Sequence, residues 1–125
     1  MIKADFLRTF SGTNLPFFQE LRANHPSAFV EVIISYEEVV CGTHVGKILS
    51  ISHRWMEATL PDPDGEQLKA IKAFLVSLAG KRIELVWIDS SSMPQHLPDR
   101  LIPIIRSAED TADFKTMLSQ DCQGR

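Results

Sequence analysis

The sequence predicts an α/β fold, a small parallel sheet with flanking helices, assembled around one strand–helix–strand unit. Three observations lead there. An apolar run at 45–52 is followed by an amphipathic stretch at 65–79 and by a second apolar run, Ile-Glu-Leu-Val-Trp-Ile-Asp, at 83–89. The amphipathic stretch sets Leu68, Ile71, Phe74, Leu75 and Leu78 on one face and Glu66, Lys69 and Lys72 on the other, the repeat of a helix with one buried stripe. The unit also has the length that a parallel crossover requires.

At 125 residues the chain suits a single core. Its 44% hydrophobic and 23% charged residues are those of a globular domain, and a net charge of −3 argues against a nucleic-acid partner. The longest apolar runs, 32–34 and 85–88, are too short to span a bilayer. Residues 1–5 turn to charge at once, without a signal-peptide core. The expectation is a cytoplasmic protein with no membrane partner. Cys41 and Cys122 lack CxxC spacing and read as reduced thiols, with a disulfide between them as the alternative on counting alone.

Taken in order, residues 1–28 read as an N-terminal extension. A short helix begins near Leu15, carries Pro16 in its first turn and is broken at His25-Pro26-Ser27. Residues 29–35 read as a strand from their β-branched content, and 36–40 as one helical turn before Gly42. In strand 45–52, Ile48, Leu49 and Ile51 suggest burial on both faces. The loop 56–65 contains Pro61-Asp62-Pro63-Asp64-Gly65, whose prolines keep it out of helix and central strand. Asp64 is the expected cap of helix 65–79, with Gln67 three residues on. Gly80 takes the C′ position, and Lys81 and Arg82 lie near the negative end of the helix dipole. A polar loop, 90–95, follows strand 83–89. Residues 96–106 read either as an edge strand or as a packed loop, because Pro103 interrupts an apolar run. Ser107 is the expected cap of a last helix, 108–119, with Ala112, Phe114, Met117 and Leu118 as candidate core residues. The α/β domain proper then covers 29–119, and 120–125 form a flexible tail.

Parallel pairing brings the carboxyl ends of strands 45–52 and 83–89 to one edge, where open α/β sheets bind their ligands. Ser52-His53-Arg54-Trp55 and Asp89-Ser90-Ser91-Ser92 become neighbours there. The positive N-terminus of helix 65–79 opens onto the same edge and can face a phosphate or carboxylate. No glycine-rich phosphate loop is present, which disfavours a GxGxxG dinucleotide fold.

The candidate ligand-binding residues are Ser52, His53, Arg54, Trp55, Asp89, Ser92 and Gln95. Each has a plain structural reading beside the functional one. His53 can donate to a ligand or act as a general acid–base, or it can simply bond to backbone. Arg54 can clamp a phosphate or pair with Asp62, Asp64 or Asp89. Trp55 can stack on a base or pack beneath the 61–63 loop. Asp89 closes a buried strand with a carboxylate, which needs either a ligand or the company of Arg54, His53 or loop amides. Ser52, Ser90, Ser91 and Ser92 can donate to a ligand or cap their own loops. Gln95 can fix the loop, and Trp87 reads as core. A serine hydrolase would need a GxSxG elbow, which is absent. His25, His44, His53 and His96 match no zinc spacing, and Glu57 reads as a solvated loop carboxylate.

These residues carry a family likeness. Ser52-His53-Arg54-Trp55, the loop Pro61-Asp62-Pro63-Asp64-Gly65-Glu66-Gln67-Leu68 and Trp87-Ile88-Asp89-Ser90-Ser91-Ser92-Met93-Pro94-Gln95 resemble the heterokaryon-incompatibility (HET) type of TIR-like domain. Fungal members show Ser-Tyr-x-Trp at a strand end, then a helix, then Trp-Ile-Asp-x-x-Cys-Ile-x-Gln. Trp87, Ile88, Asp89 and Gln95 match the second motif with its spacing, and Met93 stands at the isoleucine position. Ser92 stands where cysteine is usual and His53 where tyrosine is usual. The Ser-His-Arg-Trp and Pro-Asp-Pro combination is similar to a variant in related bacterial and protist proteins. Val32-Ile33-Ile34-Ser35-Tyr36-Glu37-Glu38 also resembles the stretch before the first motif, so the likeness covers about residues 30–118.

What the resemblance implies is a flavodoxin-like, TIR-like fold in a version shortened at its C-terminus. Relatives act in self/non-self recognition, immune signalling and cell death, and TIR-type enzymes cleave NAD between nicotinamide and ribose. In the family a glutamate on a later helix carries that cleavage. No residue of this chain can be assigned to it, so NAD cleavage is an open expectation, and the chain is a truncated member, a fragment or a shortened relative. On this reading the ligand is NAD or a related nucleotide, no further cofactor is required, and the setting is stress, defence or self/non-self signalling. The alternative is a non-catalytic interaction module that forms a homo-oligomer or joins a larger partner protein.

Overall fold

Two apolar runs pair in parallel, from Ile48 opposite Leu85 to Ile51 opposite Ile88. They are β2 (Ile48–Ile51) and β3 (Leu85–Ile88), and the helix between them is α4 (Glu66–Val76). The computed structural model describes residues 1–52, 60–96, 98 and 105–123, with 117–123 described by main chain alone. Before β2 come β1 (Ile2–Lys3), α1 (Ala4–Thr9), α2 (Phe18–Asn24), a 3-10 turn (Pro26–Ala28) and α3 (Tyr36–Val40). After β3 come α5 (Asp89–Ser92) and α6 (Ala108–Gln123). The result is a mixed α/β fold with an open sheet, in the strand order β1-β3-β2.

The sheet is not purely parallel. β1 pairs antiparallel with β3, Ile2 opposite Val86 and Lys3 opposite Leu85, and the ladder is extended by Ala4 N–H donating to the Glu84 carbonyl at 2.9 Å. Residues expected in an extension thus supply a strand. Ile2, Ala4 and Leu7 are fully buried, and with Leu15 and Leu21 they share one core with Leu68, Ile71, Leu75, Ile83, Val86 and Ile88. A two-residue strand has no alternation to betray it in the sequence; burial of Ile2 against Val86 holds it in place.

Residues 29–35 do not form the expected strand. Phe29 makes one isolated antiparallel bridge to Ile2, Val30 exchanges backbone hydrogen bonds with Met1, and the rest lies outside any ladder, with Ile33 87% exposed. β-Propensity is realised only where a partner strand and a buried face exist together. β2 is shorter than 45–52, because 41–47 is turn with Gly42 at φ 67° and Gly46 at φ 79°. It is an edge strand buried on one side only: Leu49 and Ile51 pack on the core, whereas Ser50 is exposed. Leu49 and Ile51 lie opposite Val86 and Ile88, so this one face carries the core.

α4 forms as its periodicity requires, with Leu68, Ile71 and Leu75 buried. The stripe is narrower than expected. Phe74 is 40% exposed, and Leu78 is 82% exposed because the helix has already ended at Val76. Gly80 lies beyond the cap residue Ser77, so it is not C′; its Cβ position would fall 1.9 Å from the Phe74 carbonyl oxygen, which only hydrogen fits. α2 begins at Phe18 rather than near Leu15, leaving Pro16 outside it. Asp89, expected to close the strand, and residues 90–92, expected as loop, wind into α5, and 90–92 are buried. α6 starts as expected after Ser107, whose hydroxyl accepts from Asp110 N–H at 3.0 Å. Ala112, expected in the core, is exposed, and the side chains of Met117 and Leu118 lie outside the described residues.

Candidate functional site

The register defines the site's frame. Since Ile51 pairs with Ile88, Ser52 and Asp89 leave the sheet side by side at its carboxyl edge. His53, Arg54 and Trp55, with Glu57, lie outside the described residues, as does most of 96–106. The two ends of that last segment meet, Arg106 N–H donating to His96 Nδ1 at 3.2 Å.

Ser52 is exposed and Asp89 half-buried. One Asp89 oxygen, Oδ1, accepts from Ser90 N–H at 2.6 Å, an anion held at the start of its own helical turn. The three serines behind it differ in use. Ser92 Oγ accepts from Ile88 N–H at 3.0 Å, and Ser91 Oγ donates to the Pro16 carbonyl at 2.5 Å. These two bonds tie α5 to β3 and to the chain before α2. Ser90 is fully buried and, among the described residues, its hydroxyl has no hydrogen-bond partner, an arrangement that is costly by ~1–3 kcal/mol. Gln95 braces its own loop: Nε2 donates to the carbonyls of Asp89 (3.1 Å) and Met93 (2.7 Å). Its backbone exchanges two hydrogen bonds with the Gln19 side chain. Trp87, read as core, is half-buried on the sheet's less covered face.

The N-terminus of α4 is not open to an external anion. Asp62, 2% exposed, occupies it: Oδ1 accepts from Gln67 N–H (3.0 Å), and Oδ2 accepts from Leu68 N–H (3.1 Å) and Leu15 N–H (3.3 Å). Asp62, not Asp64, therefore supplies the charge at the helix end, and the cap residue itself is Gly65 at φ 70°. Asp64 stays exposed. Asn14 fixes the same loop from the other side, donating to the carbonyls of Asp62 (2.6 Å) and Pro63 (2.7 Å). The sequence signal for this arrangement was the Pro-Asp-Pro stretch itself, since an aspartate between prolines has few local amides to accept from.

Two further anchors had no local signal. Arg8 reaches into the turn after α4, donating to the carbonyls of Leu75, Gly80, Lys81 and Ile83 at 2.9–3.2 Å while Nη1 meets Asp5 at 2.5 Å. Arg22 grips Asp110 of α6 through two contacts, 2.5 and 3.2 Å. That guanidinium, then the Ser107 groups, hold the Asp110 carboxyl below its ordinary range against the opposing effect of burial. Asp110 is 3% exposed, yet the pairing outweighs desolvation.

The histidines are scattered. His25 stacks near Phe6 and Phe10 with ring centroids 5.1 and 6.0 Å away. His44 stands 3.7 Å from Glu38. Among the described residues no three His, Cys, Asp or Glu side chains are grouped to hold a metal, and no helix is long and apolar enough to cross a membrane. Cys41 is free and exposed. Hollows of about 750 and 640 Å3 lie at the amino edge of the sheet and beside α2, and neither is lined by Ser52, Asp89, Ser92 or Gln95. The chain matches no family model, no curated protein and no solved structure.

Proposed function

We propose that this chain is a TIR-like domain of the heterokaryon-incompatibility type, of flavodoxin-like descent. It would bind NAD or a related nucleotide at the carboxyl edge of its sheet, in stress, defence or self/non-self signalling. The observation that supports this most is the parallel register Ile51↔Ile88, which sets Ser52 and Asp89 at one edge behind the motif Trp87-Ile88-Asp89. At such an edge a carboxylate serves as acceptor for ribose hydroxyls. With α4's N-terminus filled by Asp62, phosphate recognition falls to Arg54 and base stacking to Trp55. Ser90, whose buried hydroxyl has no partner among the described residues, is the reserve donor behind Asp89. Ser92 and Gln95 act in this scheme by fixing the loop.

The test is titration calorimetry with NAD and NADP, followed by assay for released nicotinamide. Saturable binding abolished by Asp89→Ala and Arg54→Ala, in variants with native circular dichroism, supports the reading. Absence of binding at millimolar nucleotide overturns it, and binding without nicotinamide release reduces it to a non-catalytic site.

A second reading, a self-associating interaction module, rests on the apolar surface around α3. Ile33, Tyr36, Val39, Val40 and Val45 are 57–87% exposed, a density unusual for a surface with no partner. Light scattering coupled to sizing tests it: a monomer at all concentrations removes this reading.

A further inference from the structure

The parallel strands have another edge. Before β2 and β3, the 45–47 turn, the 81–84 segment and β1 enclose the hollow of about 750 Å3. Lys3, Lys47, Lys81 and Arg82 reach it from these three separate segments, and all four are exposed. None of the four is in an ion pair among the described residues. Arg8 and Asp5 also line it, but they neutralise one another at 2.5 Å. Glu84 is then the remaining acid on the wall, facing four cations. This surplus sits in a chain whose net charge is −3, so the rest of the molecule is correspondingly acidic.

Two features around the groove make it fit for an anion. The carboxyl end of α4 points its carbonyls this way, which would repel a negative ligand. Arg8 covers them, taking the Leu75, Gly80, Lys81 and Ile83 carbonyls. Backbone hydrogen bonds also hold Lys47 and Lys81 in place. The Lys47 carbonyl accepts from Glu84 N–H (2.7 Å) and Leu85 N–H (3.2 Å), and Lys81 N–H donates to the Ser77 carbonyl (2.9 Å). The exposed side chains extend from a hydrogen-bonded floor, the arrangement suited to ammonium groups that act as point charges on phosphate oxygens.

We infer that this amino-edge groove binds a compact polyphosphate, the chain of two or three phosphates found in pyrophosphate, tripolyphosphate or a nucleoside triphosphate. Its volume is that of a small-ligand site. A single phosphate would engage one or two of the cations. A nucleic acid would run beyond the groove onto the rest of the molecule, whose net charge is negative. The site lies on the edge opposite Asp89 and does not depend on the nucleotide reading above.

The experiment is calorimetry at low salt with sodium pyrophosphate, sodium tripolyphosphate, ATP and a short DNA duplex. It compares the full chain with Lys47→Glu and with Lys81→Glu/Arg82→Glu. Saturable one-to-one binding of tripolyphosphate is expected, weakened about tenfold for each charge reversed and falling steeply as salt is added. All four side chains are exposed, so circular dichroism and thermal midpoint stay native, and Asp89→Ala binds tripolyphosphate as the parent does. Equal affinity for tripolyphosphate and ATP assigns recognition to the phosphate chain, and tighter ATP assigns a nucleoside triphosphate; both uphold the site. No saturable binding, binding untouched by the charge reversals, or preference for the duplex overturns it.

Discussion

A carboxylate with 2% of its surface exposed needs partners, and Asp62 takes backbone amides from two segments: Gln67 and Leu68 at the start of α4, and Leu15 from the chain before α2. Removing it strands all these donors in a dry place. Asp62→Ala is expected to lower unfolding free energy by ~3 kcal/mol, read from urea denaturation. Asp62→Asn, which keeps one acceptor oxygen and turns a donor toward the other amide, should fall between. Arg8 behaves likewise with the donor and acceptor roles exchanged. A lysine cannot span four carbonyls with one ammonium, so Arg8→Lys should destabilise by ~1–2 kcal/mol although the charge is unchanged. At this scale sequence reading was weakest. Helix capping rules favour the residue nearest the helix, which was Asp64; the chain instead loops back by way of Gly65 so that Asp62 reaches the first turn. Arg8 contacts carbonyls some seventy positions away, and no local pattern announces such a bond.

Among the elements, α4 was legible because its apolar spacing and its burial come from the same face. The segment 29–35 departs from its strand propensity because β-branched content says what a residue prefers, not whether a partner strand is beside it. Gly65, which joins the Asp62 loop to α4, has φ 70°, and a Cβ there would fall 1.9 Å from the Thr13 carbonyl oxygen. Gly65→Ala should therefore cost more than the ~1 kcal/mol of a left-handed alanine alone, with a clear drop in thermal midpoint. α6 is tied down through Arg22 and Asp110. Because the folded-state carboxyl of Asp110 titrates below its ordinary value of 3.8, its contribution is fully present above that pH and is lost as pH falls through the lower, folded value. Hydrogen exchange in α6 should therefore accelerate at the acid end in the parent chain. In Asp110→Asn this pH dependence should vanish, at a loss of about 1 kcal/mol or less, because Arg22 is 46% exposed and screened.

For the whole molecule, the carboxyl edge was foreseeable from strand order alone, since a parallel β2–β3 pair must end on one side. The opposite edge was not, because Lys3 reaches it through β1, a strand too short to read. The core is likewise drawn from both ends of the sequence. Leu7 is fully buried beside Leu68, Ile71 and Leu75, and Leu7→Ala should cost ~3 kcal/mol. That is a large part of the total stability of a small domain, ~5–15 kcal/mol, and it would appear as a shifted denaturation midpoint with an unchanged slope.

The pairing of Ile2 with Val86 also sets a timetable. On a ribosome, which releases residues in order, Ile2, Leu7, Leu15 and Leu21 emerge long before β3 exists to cover them. Contacts of such wide sequence separation close late and slow folding. The nascent chain must therefore carry an uncovered apolar head until about residue 90 has cleared the exit tunnel, and chaperone binding in that interval is the expected outcome. Stalled chains ending before β3 should cross-link to such chaperones, and chains released after α5 should not.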